Sequence, residues 1–231
     1  MKITKLNADS SWLWEIEGVK ILVDPWFSES QVDFHPLFSK QFHLDPQPKT
    51  EDLERPDFIF ISHPFSDHCD RSTLIQMDPT IPLVCLPGIA KKIRKWRHFQ
   101  TFLTLEEAPF SIEKISITSF LDLVHHAYHV KDSVTSMVYA PHGTTKIRQG
   151  FSCDVLIATM TSYHLPFYLG GTVNLGLDKA LELAKKLSAK TIISTHDEQK
   201  KQQGLVARLS KRNYLSSNQF KTVAVADSFE F

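Results

Sequence analysis

An almost wholly apolar segment, residues 57–62 (DFIFIS), leads directly into a dense group of potential metal ligands. A short run of this composition is typical of a β-strand that is buried on both faces. His63, Asp67 and His68 follow at the point where the chain leaves the predicted strand. Imidazole and carboxylate groups at this spacing suit zinc, iron or manganese, and a turn can direct all three at one point. The segment therefore predicts a metal site beyond the end of a buried strand.

Two further apolar strands are predicted to end in a histidine. Residues 137–140 (MVYA) stop at a proline that precedes His142, and residues 191–195 (TIIST) lead into His196. In layered α/β folds, sites collect beyond strand ends, where loops converge on a rigid scaffold. A single histidine at a strand end is more often a hydrogen-bonded structural residue. Three such strand ends favour a metal site, or the remnant of one.

The composition is compatible with one domain of the α/β (α+β) class. A chain of 231 residues can bury a substantial core, and no repeat, low-complexity tract or linker divides it, so we expect a single domain over residues 1–231. Lysine plus arginine equals aspartate plus glutamate at 26 each. The zero net charge argues against nucleic acid or an anionic membrane as the main partner, and eleven histidines mildly favour a metal site.

The cysteines and the N-terminal residues indicate a cellular compartment. Cys69, Cys85 and Cys153 are odd in number and form no paired-thiol motif, which is typical of reduced thiols in a cytosolic protein. Residues 1–9 are too polar for a signal peptide, and no apolar run is long enough to span a bilayer. We therefore expect a cytoplasmic protein.

Local patterns predict several further elements. A β-hairpin is expected where residues 12–16 and 19–23 flank a Glu-Gly turn. Amphipathic helices are expected over residues 88–99 and 177–187. Residues 26–50, rich in proline and aromatic residues, predict a long loop that is either a functional lid or mobile. Apolar, β-prone segments predict additional strands at residues 83–86, 112–120, 127–130 and 154–158.

The motif at residues 63–68 resembles the His-x-His-x-Asp-His signature of the metallo-β-lactamase fold superfamily, with Phe65 in place of the second histidine. The resemblance covers nearly the whole chain and is strongest to the ascorbate-6-phosphate-lactonase-like branch, whose members are metal-dependent hydrolases. Residues 21–26 (ILVDPW) are similar to that branch's strand followed by Asp-Pro-Trp, and residues 154–196 resemble its closing strand–helix–strand unit. The resemblance implies a four-layered αβ/βα sandwich with the site at one edge of two facing sheets.

The same resemblance implies a set of ligands. His63 would belong to the first metal position, and Asp67, His68 and His196 would belong to the second. His142 stands where the family has an aspartate that bridges two metals, and it could ligate either ion. The first position lacks the imidazole that Phe65 replaces, and it needs another histidine, which His125 or His126 could supply.

The ligands that remain predict an activity. Three ligands at the second position are enough for catalysis by one divalent ion with an open coordination site; zinc is the first choice, with manganese or iron as alternatives. Such an ion lowers the pKa of its water to roughly 7, so hydroxide can attack an ester, lactone, amide or phosphoester. Asp67 and His142 are the predicted catalytic residues. We expect a hydrolase with a reduced site that acts on a small molecule, and a homo-oligomer is compatible with it.

Other interpretations stay open. Phe65 and His142 both depart from the family pattern, so the chain could be a non-catalytic binding or scaffold protein that has lost its metal. Asp67 could cap a helix that begins near His68 instead of binding an ion. An iron-dependent redox role is a weaker alternative. Asp197 could orient the neighbouring imidazole of His196 or simply end a strand.

Overall fold

The computed structural model describes residues 1–119 and 122–231. Within these residues the chain forms nineteen strands, four α-helices and two short 3-10 helices. The strands are β1 (Lys2–Lys5), β2 (Trp12–Ile16), β3 (Val19–Val23), β4 (Ser30–Asp33), β5 (Ser39–Phe42), β6 (Phe58–Ile61), β7 (Leu83–Cys85), β8 (Phe102–Leu103), β9 (Ser111–Lys114), β10 (Tyr128–Lys131), β11 (Ser136–Ala140), β12 (Val155–Ala158), β13 (Ser162–His164), β14 (Thr172–Leu175), β15 (Thr191–Ser194), β16 (Lys201–Gln203), β17 (Lys211–Asn213), β18 (Phe220–Lys221) and β19 (Ser228–Glu230). The α-helices are α1 (Arg71–Leu74), α2 (Pro87–Arg94), α3 (Leu177–Leu187) and α4 (Leu205–Leu209), and the 3-10 helices are Thr50–Asp52 and Phe167–Leu169.

Two large sheets carry the fold. The first has the strand order β19-β1-β2-β3-β6-β7-β8, and the second has the order β18-β15-β12-β11-β10-β9. In each sheet one part is antiparallel and the other parallel; the parallel parts run from β3 to β8 and from β11 to β18. Parallel strands place their carboxyl ends at the same edge of a sheet. The residues that follow β3, β6, β11 and β15 therefore lie beyond the carboxyl ends of the parallel strands, where a site can form.

Large apolar side chains fill the space between the two sheets. Trp14 of β2 contacts Phe60 of β6 within the first sheet and Tyr139 of β11 across the interface, with ring centroids 5.8 and 5.3 Å apart. All three side chains are fully buried. Because alternate residues of a strand face opposite sides, Phe60 faces this central core while Ile59 and Ile61 face the outer layer.

Helices cover the outer faces of both sheets. Leu74 of α1 and Ile89 and Ile93 of α2 pack on the first sheet, and Leu183 and Leu187 of α3 pack on the second. The order is helix, sheet, sheet, helix. The predicted αβ/βα sandwich, a mixed α and β class, is therefore confirmed.

The predicted hairpin is confirmed residue for residue, and so is the helix over 177–187. Glu17 and Gly18 in the hairpin turn both have positive φ, at 51° and 84°, as a two-residue turn of this kind requires. The predicted helix over 88–99 begins one residue earlier, at Pro87, and ends at Arg94. Arg97 has a φ of 54°, which is incompatible with a continuing helix.

Two other predictions were wrong in part. Residues 26–50 are not a structureless loop, because β4 and β5 form a hairpin that pairs with β16, where Phe42 lies opposite Lys201. The strand expected over 112–120 is the shorter β9, and Phe120 lies outside the described residues. In the part of the chain that the structure describes, no helix combines the length and apolarity needed to cross a membrane.

Candidate metal centre

Three buried histidines follow the carboxyl ends of strands. His63 follows β6, His142 follows β11 and His196 follows β15, with exposed fractions of 0, 1 and 7 %. The turn after β6 adds Asp67 and His68. That turn closes where the backbone amide of His68 donates to the carbonyl oxygen of residue 65 at 3.1 Å.

Asp67 does not cap a helix. The first helix after the turn, α1, begins at Arg71, and its cap is Asp70, whose carboxylate accepts from the amides of Ser72 and Thr73. The capping interpretation of Asp67 is therefore wrong. Its carboxylate is left for another partner.

The turn after β11 is shaped by a glycine. Gly143 has a φ of 79°, and a Cβ at this position would lie 3.2 Å from the side chain of Leu175. The amide of Leu175 donates to the carbonyl oxygen of His142 at 3.0 Å. The positive φ and the close approach to β14 both favour glycine, and together they hold His142 against the end of β14.

The structure brings all five predicted ligands into one cluster. Ligand atoms of His63, His68 and His142 lie within 4.8 Å of one another, and so do those of Asp67, His68 and His196. The ring centroids of His68, His142 and His196 are 4.7 to 5.1 Å apart. His68 belongs to both groups, so it lies at the centre of the cluster.

Two of the rings face each other through their Nε2 atoms. Nδ1 of His68 lies 2.8 Å from Oδ2 of Asp24, and Nδ1 of His142 lies 2.7 Å from Oδ1 of Asn174. Each Nδ1 therefore carries a proton, and Nε2 of the ring is an acceptor whenever that ring is neutral. The two Nε2 atoms are 2.9 Å apart. Two neutral rings would repel each other at this distance, so a cation, either a proton on His68 or a metal ion, has to lie between or beside the two nitrogens, and the donor set fits a metal ion.

A third ring also lies beside a carboxylate, but Nδ1 of His196 and Oδ1 of Asp9 are not aligned for a hydrogen bond. Nδ1 of His196 lies 2.8 Å from Oδ1 of Asp9, and its Nε2 lies 3.6 Å from Oδ2 of Asp67. The other oxygen of Asp67, Oδ1, is buried and has no hydrogen-bond partner among the described residues. Buried carboxylate oxygens are normally paired, so this atom also fits a cation or a water held beside one. The carboxylate of Asp9 lies on the Nδ1 side of the His196 ring, where ligating histidines usually have a carboxylate or carbonyl group.

Asp24 and His196 are held in strained backbone conformations, with φ of 45° and 58°. Residues other than glycine seldom adopt positive φ, and the conformation costs about 1–2 kcal/mol. Backbone hydrogen bonds fix both residues: the amide of Asp24 donates to Phe60 at 3.0 Å, and that of His196 donates to Asp9 at 2.9 Å. The fold therefore enforces the direction in which both side chains leave the chain.

Protonation differs between the ligands. Burial, and then the neighbouring rings of His196 and His68, hold the pKa of His142 well below its ordinary value. Burial also opposes a charge on His68, but the carboxylates of Asp24 and Asp67 outweigh it and raise the pKa of that ring. Burial opposes the charge of Asp67 as well, yet His68 and Lys200 lower the pKa of its carboxyl. At neutral pH, His142 therefore offers a metal ion an uncharged ring nitrogen, and Asp67 offers it a charged carboxylate.

His63 lies in the cluster but is bonded to the protein on both ring nitrogens. Its Nε2 is 2.7 Å from the carbonyl oxygen of Val124, and its Nδ1 is 2.6 Å from Oγ of Ser62. Burial and the nearby rings of His142 and His68 hold the pKa of His63 well below its ordinary value. Its ring is less available to a metal than those of the other histidines.

Neither histidine that was expected to complete the first position joins a ligand group among the described residues. His126 stacks on His63 with ring centroids 5.2 Å apart, and burial lowers its pKa to about 4. His125 is half-buried, and its Nδ1 lies 3.1 Å from Asp122. Phe65, which stands in place of the second histidine, is half-buried. The first position therefore has fewer side chains free to bind a metal ion than the second.

Sequence reasoning missed the residues that orient the ligands. Asp24 lies in the quoted ILVDPW segment, but no role was predicted for it, and Asp9 and Asn174 carried no recognisable signal. Asp197, the predicted candidate for orienting His196, instead accepts hydrogen bonds from the loop after β12, including one from the Thr161 amide at 2.8 Å. The carboxylate that lies beside Nδ1 of His196 is that of Asp9, at 2.8 Å.

Three other histidines have partners outside the cluster. His43 pairs with Glu198 at 2.8 Å, His98 contacts the carbonyl oxygen of Met77 at 2.9 Å, and the exposed His164 contacts Thr172. Helix α2 carries the basic residues Lys91, Lys92 and Arg94. Of these, Arg94 packs on an aromatic ring of the protein, with its guanidinium carbon 4.8 Å from the ring centroid of Phe102.

A cavity opens beside the second ligand group. It is a small cleft that opens to solvent. Its walls include the candidate ligands Asp67 and His196 and the exposed Tyr214. The lining residues are Gln41, Asp67, Thr161, Tyr163, Val173, Asn174, His196, Glu198, Lys200, Arg212 and Tyr214.

Known structures share this fold over the full chain. An isothiocyanate hydrolase from Delia radicum gut bacteria is similar with a TM-score of 0.71 and 15% sequence identity, covering 100% of this chain and 99% of that one. A possible metal-dependent hydrolase from Veillonella parvula gives 0.66 and 11%, with 98% and 97% covered. Igni18, a metallo hydrolase from Ignicoccus hospitalis, gives 0.61 and 15%, with 100% and 98% covered.

These identities are too low to show more than the fold, but they agree with a second comparison. No curated protein sequence matches the chain. The model of the β-lactamase superfamily domain matches residues 2–196, a segment that begins at β1 and ends at the ligand His196. The chain belongs to the β-lactamase superfamily.

Proposed function

We propose that this protein is a metal-dependent hydrolase that works with a single divalent ion. Asp67, His68 and His196 would hold the ion, with His142 beside them as a further donor. The observation that carries the proposal is the buried cluster itself, in which the Nε2 atoms of His68 and His142 face each other at 2.9 Å and Asp67 and His196 lie within 4.8 Å of the ligand atom of His68. Zinc suits this set of imidazoles and carboxylate best, and manganese or iron would also be accepted.

The charges around the cluster favour one ion over two. The buried carboxylates of Asp9, Asp24 and Asp67 face the ligand rings, and one ammonium, that of Lys200, lies 2.7 Å from Asp9 and 4.0 Å from Asp67. With these four groups ionised and the ligand rings neutral, as they are when they bind an ion, the net charge is −2, which one divalent ion balances. Uncompensated buried charge is costly, so a second ion would need a carboxylate that His142 does not provide.

A bound divalent ion supplies Lewis acidity and makes hydroxide available near neutral pH. Asp67 is suited to orient the attacking water, because its buried Oδ1 has no other partner in the described residues and its carboxyl stays ionised. His142 stays neutral, with its Nδ1 proton held by Asn174. Its Nε2 can therefore offer its lone pair, either to the ion or to a water at the reacting centre, but it cannot supply a proton. The proposed substrates are small molecules with an ester, lactone, amide or phosphoester bond.

The likeness to hydrolases supports the reaction type but no particular substrate. The neighbours act on different compounds, as the isothiocyanate hydrolase illustrates. The ILVDPW segment supports a place in the ascorbate-6-phosphate-lactonase-like branch, because Asp24 within it orients His68. A cytoplasmic location and a homo-oligomer remain part of the proposal.

One observation favours a second candidate, a non-catalytic binding protein. Both nitrogens of His63 are bonded to the protein, as expected if the first metal position has been lost. The second group is not affected by this, since its three ligands do not include His63.

A hydrolysis screen separates the two candidates. Purified protein would be supplied with Zn²⁺, Mn²⁺ or Fe²⁺ and tested on ester, lactone, amide and phosphoester substrates. We expect turnover that stops on chelation and in His68→Ala, and that persists in the control His164→Ala, where an exposed histidine is removed. Absence of turnover with every metal and substrate class, with stability unchanged by chelator, would support the binding protein instead.

A further inference from the structure

An arginine that has no acidic partner among residues 1–119 and 122–231 lies in the wall of the cavity beside the cluster. Arg212 of β17 stacks on the ring of Tyr163 of β13, with its guanidinium carbon 4.0 Å from the ring centroid. Its hydrogen-bond acceptors are neutral: Oε1 of Gln41 at 3.0 Å and the hydroxyl of Tyr214 at 3.2 Å. The amide of Gln202 lies against the same guanidinium. The positive charge is thus oriented by neutral groups and remains available to an anion.

The acidic side chains of the same cavity are engaged elsewhere. Glu198 lies 2.8 Å from Nδ1 of His43 and accepts from the amide of Leu44, and Asp67 faces His196. The second cation of the cavity, Lys200, is paired with Asp9 at 2.7 Å. An anionic ligand can therefore pair with Arg212 without breaking an ion pair of the described residues. Pairing with Lys200 would compete with Asp9.

Two buried hydroxyls line the cavity without partners. The Tyr163 hydroxyl and Oγ1 of Thr161 are buried and make no hydrogen bond within the described part of the chain. The two residues are only 7 and 3 % exposed. Buried polar groups are nearly always paired, so unpaired ones in a cavity wall indicate a ligand or water that pairs with them. Hydroxyl donors together with a stacked guanidinium are the groups that recognise carboxylate and phosphoryl oxygens.

We propose that the substrate carries an oxyanion, either a carboxylate or a phosphoryl group, which binds between Arg212 and the Tyr163 hydroxyl. Because Asp67 and His196 line the same cavity, the bond to be cleaved would lie between this anion and the ligand cluster. The part of the inference that concerns a substrate rests on the proposed hydrolase function. The anion site itself does not, since none of its groups is a proposed metal ligand.

The test is anion binding to protein that has been stripped of metal, so that no ion in the cluster can attract the probe. Inorganic phosphate and acetate would be titrated separately by calorimetry at constant ionic strength, with sodium chloride as the reference salt. We expect saturable binding of at least one probe. The preferred probe identifies whether phosphoryl or carboxylate is the recognised group.

Variants locate the site. Arg212→Gln is expected to weaken binding at least tenfold, Arg212→Lys to weaken it less, and Tyr163→Phe, which removes only the hydroxyl, to weaken it about threefold. Arg208→Gln removes an exposed arginine of α4 and is the matched control, with no change expected. Metal content of Arg212→Gln should equal that of the parent protein. If Arg212→Gln does not fold, the Tyr163→Phe result decides.

Two outcomes would overturn the anion site: no saturable binding of either probe, or equal affinity in the parent protein, Arg212→Gln and Tyr163→Phe. Failure of the hydrolase proposal looks different. In that case the stripped protein would bind the anion through Arg212, while the metal-loaded protein would hydrolyse neither anionic nor neutral substrates.

Discussion

Oδ2 of Asp24 lies 2.8 Å from Nδ1 of His68, and both side chains are completely buried. The same carboxylate accepts from the amide of Ser62 at 2.7 Å and from the hydroxyl of Tyr139 at 2.8 Å. Asp24 follows β3 of the first sheet and Tyr139 belongs to β11 of the second. One carboxylate thus joins the two sheets at the edge where the ligands meet and fixes the ring that both ligand groups share.

Replacing that carboxylate should weaken metal binding. Asp24→Asn keeps the size of the side chain but removes the charge that holds the Nδ1 proton of His68. We expect affinity for Zn²⁺ to fall about 10- to 100-fold, as is typical when the carboxylate behind a ligand histidine is lost. Competition with a chromophoric chelator measures it. Asp122→Asn, which removes the corresponding carboxylate from His125, is the control; equal losses in both variants would contradict the ligand set.

Restoring the family histidine should not restore a second ion. In Phe65→His the first position gains an imidazole, but His63 is still bonded to Val124 and Ser62, and His142 still stands in place of a carboxylate. We expect the variant to hold about one ion per chain, as the parent protein does. Phe65→Leu controls for loss of the aromatic ring. Two tightly held ions in Phe65→His would show that the single substitution, and not the whole cluster, sets the stoichiometry.

Acid should destabilise the metal-free protein, in part through His126. Its pKa is about 4 in the folded protein, mainly because burial disfavours the charged ring, whereas an unfolded histidine titrates near 6.5. Between these pH values the unfolded chain binds more protons than the folded protein. His126 therefore does not reduce the free energy of unfolding above about pH 6.5, and it reduces that free energy increasingly as the pH falls toward 4. This difference in pKa corresponds to at most about 3 kcal/mol.

The pH dependence is measured by urea unfolding in chelator at pH 7.5 and pH 5. His126→Gln should lose less stability than the parent protein on acidification, while His164→Gln, which alters an exposed ring, should behave like the parent. Burial also lowers the pKa of His63 and His142, so part of the acid sensitivity should remain in His126→Gln. An unchanged pH dependence in His126→Gln would contradict the assignment.

Metal should stabilise the fold. An ion that binds only the folded chain contributes about 2.7 kcal/mol at a free concentration 100 times its Kd. For a chain of this size, that corresponds to an increase in Tm of about 5–10 °C, measured by calorimetry with and without Zn²⁺. Chelator should reverse the increase, and His196→Ala should show none. An equal increase in His196→Ala would place the ion somewhere else.

Elements with a strong local period could be predicted from the sequence. The hairpin of β2 and β3 consists of two mainly apolar, β-prone segments around a Glu-Gly turn, and α3 repeats its apolar residues at helical spacing. The strands β4 and β5 carry no such local signal. They are stabilised by pairing with β16, which lies far away in the chain, and a contact of that kind cannot be read from a local pattern.

The candidate metal centre could also be predicted from the sequence only in part. His63, Asp67 and His68 were visible because they are crowded into one turn, and His142 and His196 because each ends an apolar strand. Asp9 and Asn174 were not visible, since their roles depend on which rings the folded sheets bring opposite them. Asp9 lies in a loop and Asn174 lies within β14, and neither position has a sequence signature until its partner is known.

Metal stoichiometry tests the central claim most directly. Protein expressed with zinc, manganese and iron available and purified without chelator would be analysed for metal content, together with His68→Ala, His196→Ala and the control His164→Ala. The account predicts about one divalent ion per chain in the parent protein and in His164→Ala, and none in the other two variants. A parent protein that holds no metal under these conditions, or an equal content in all four proteins, would contradict it.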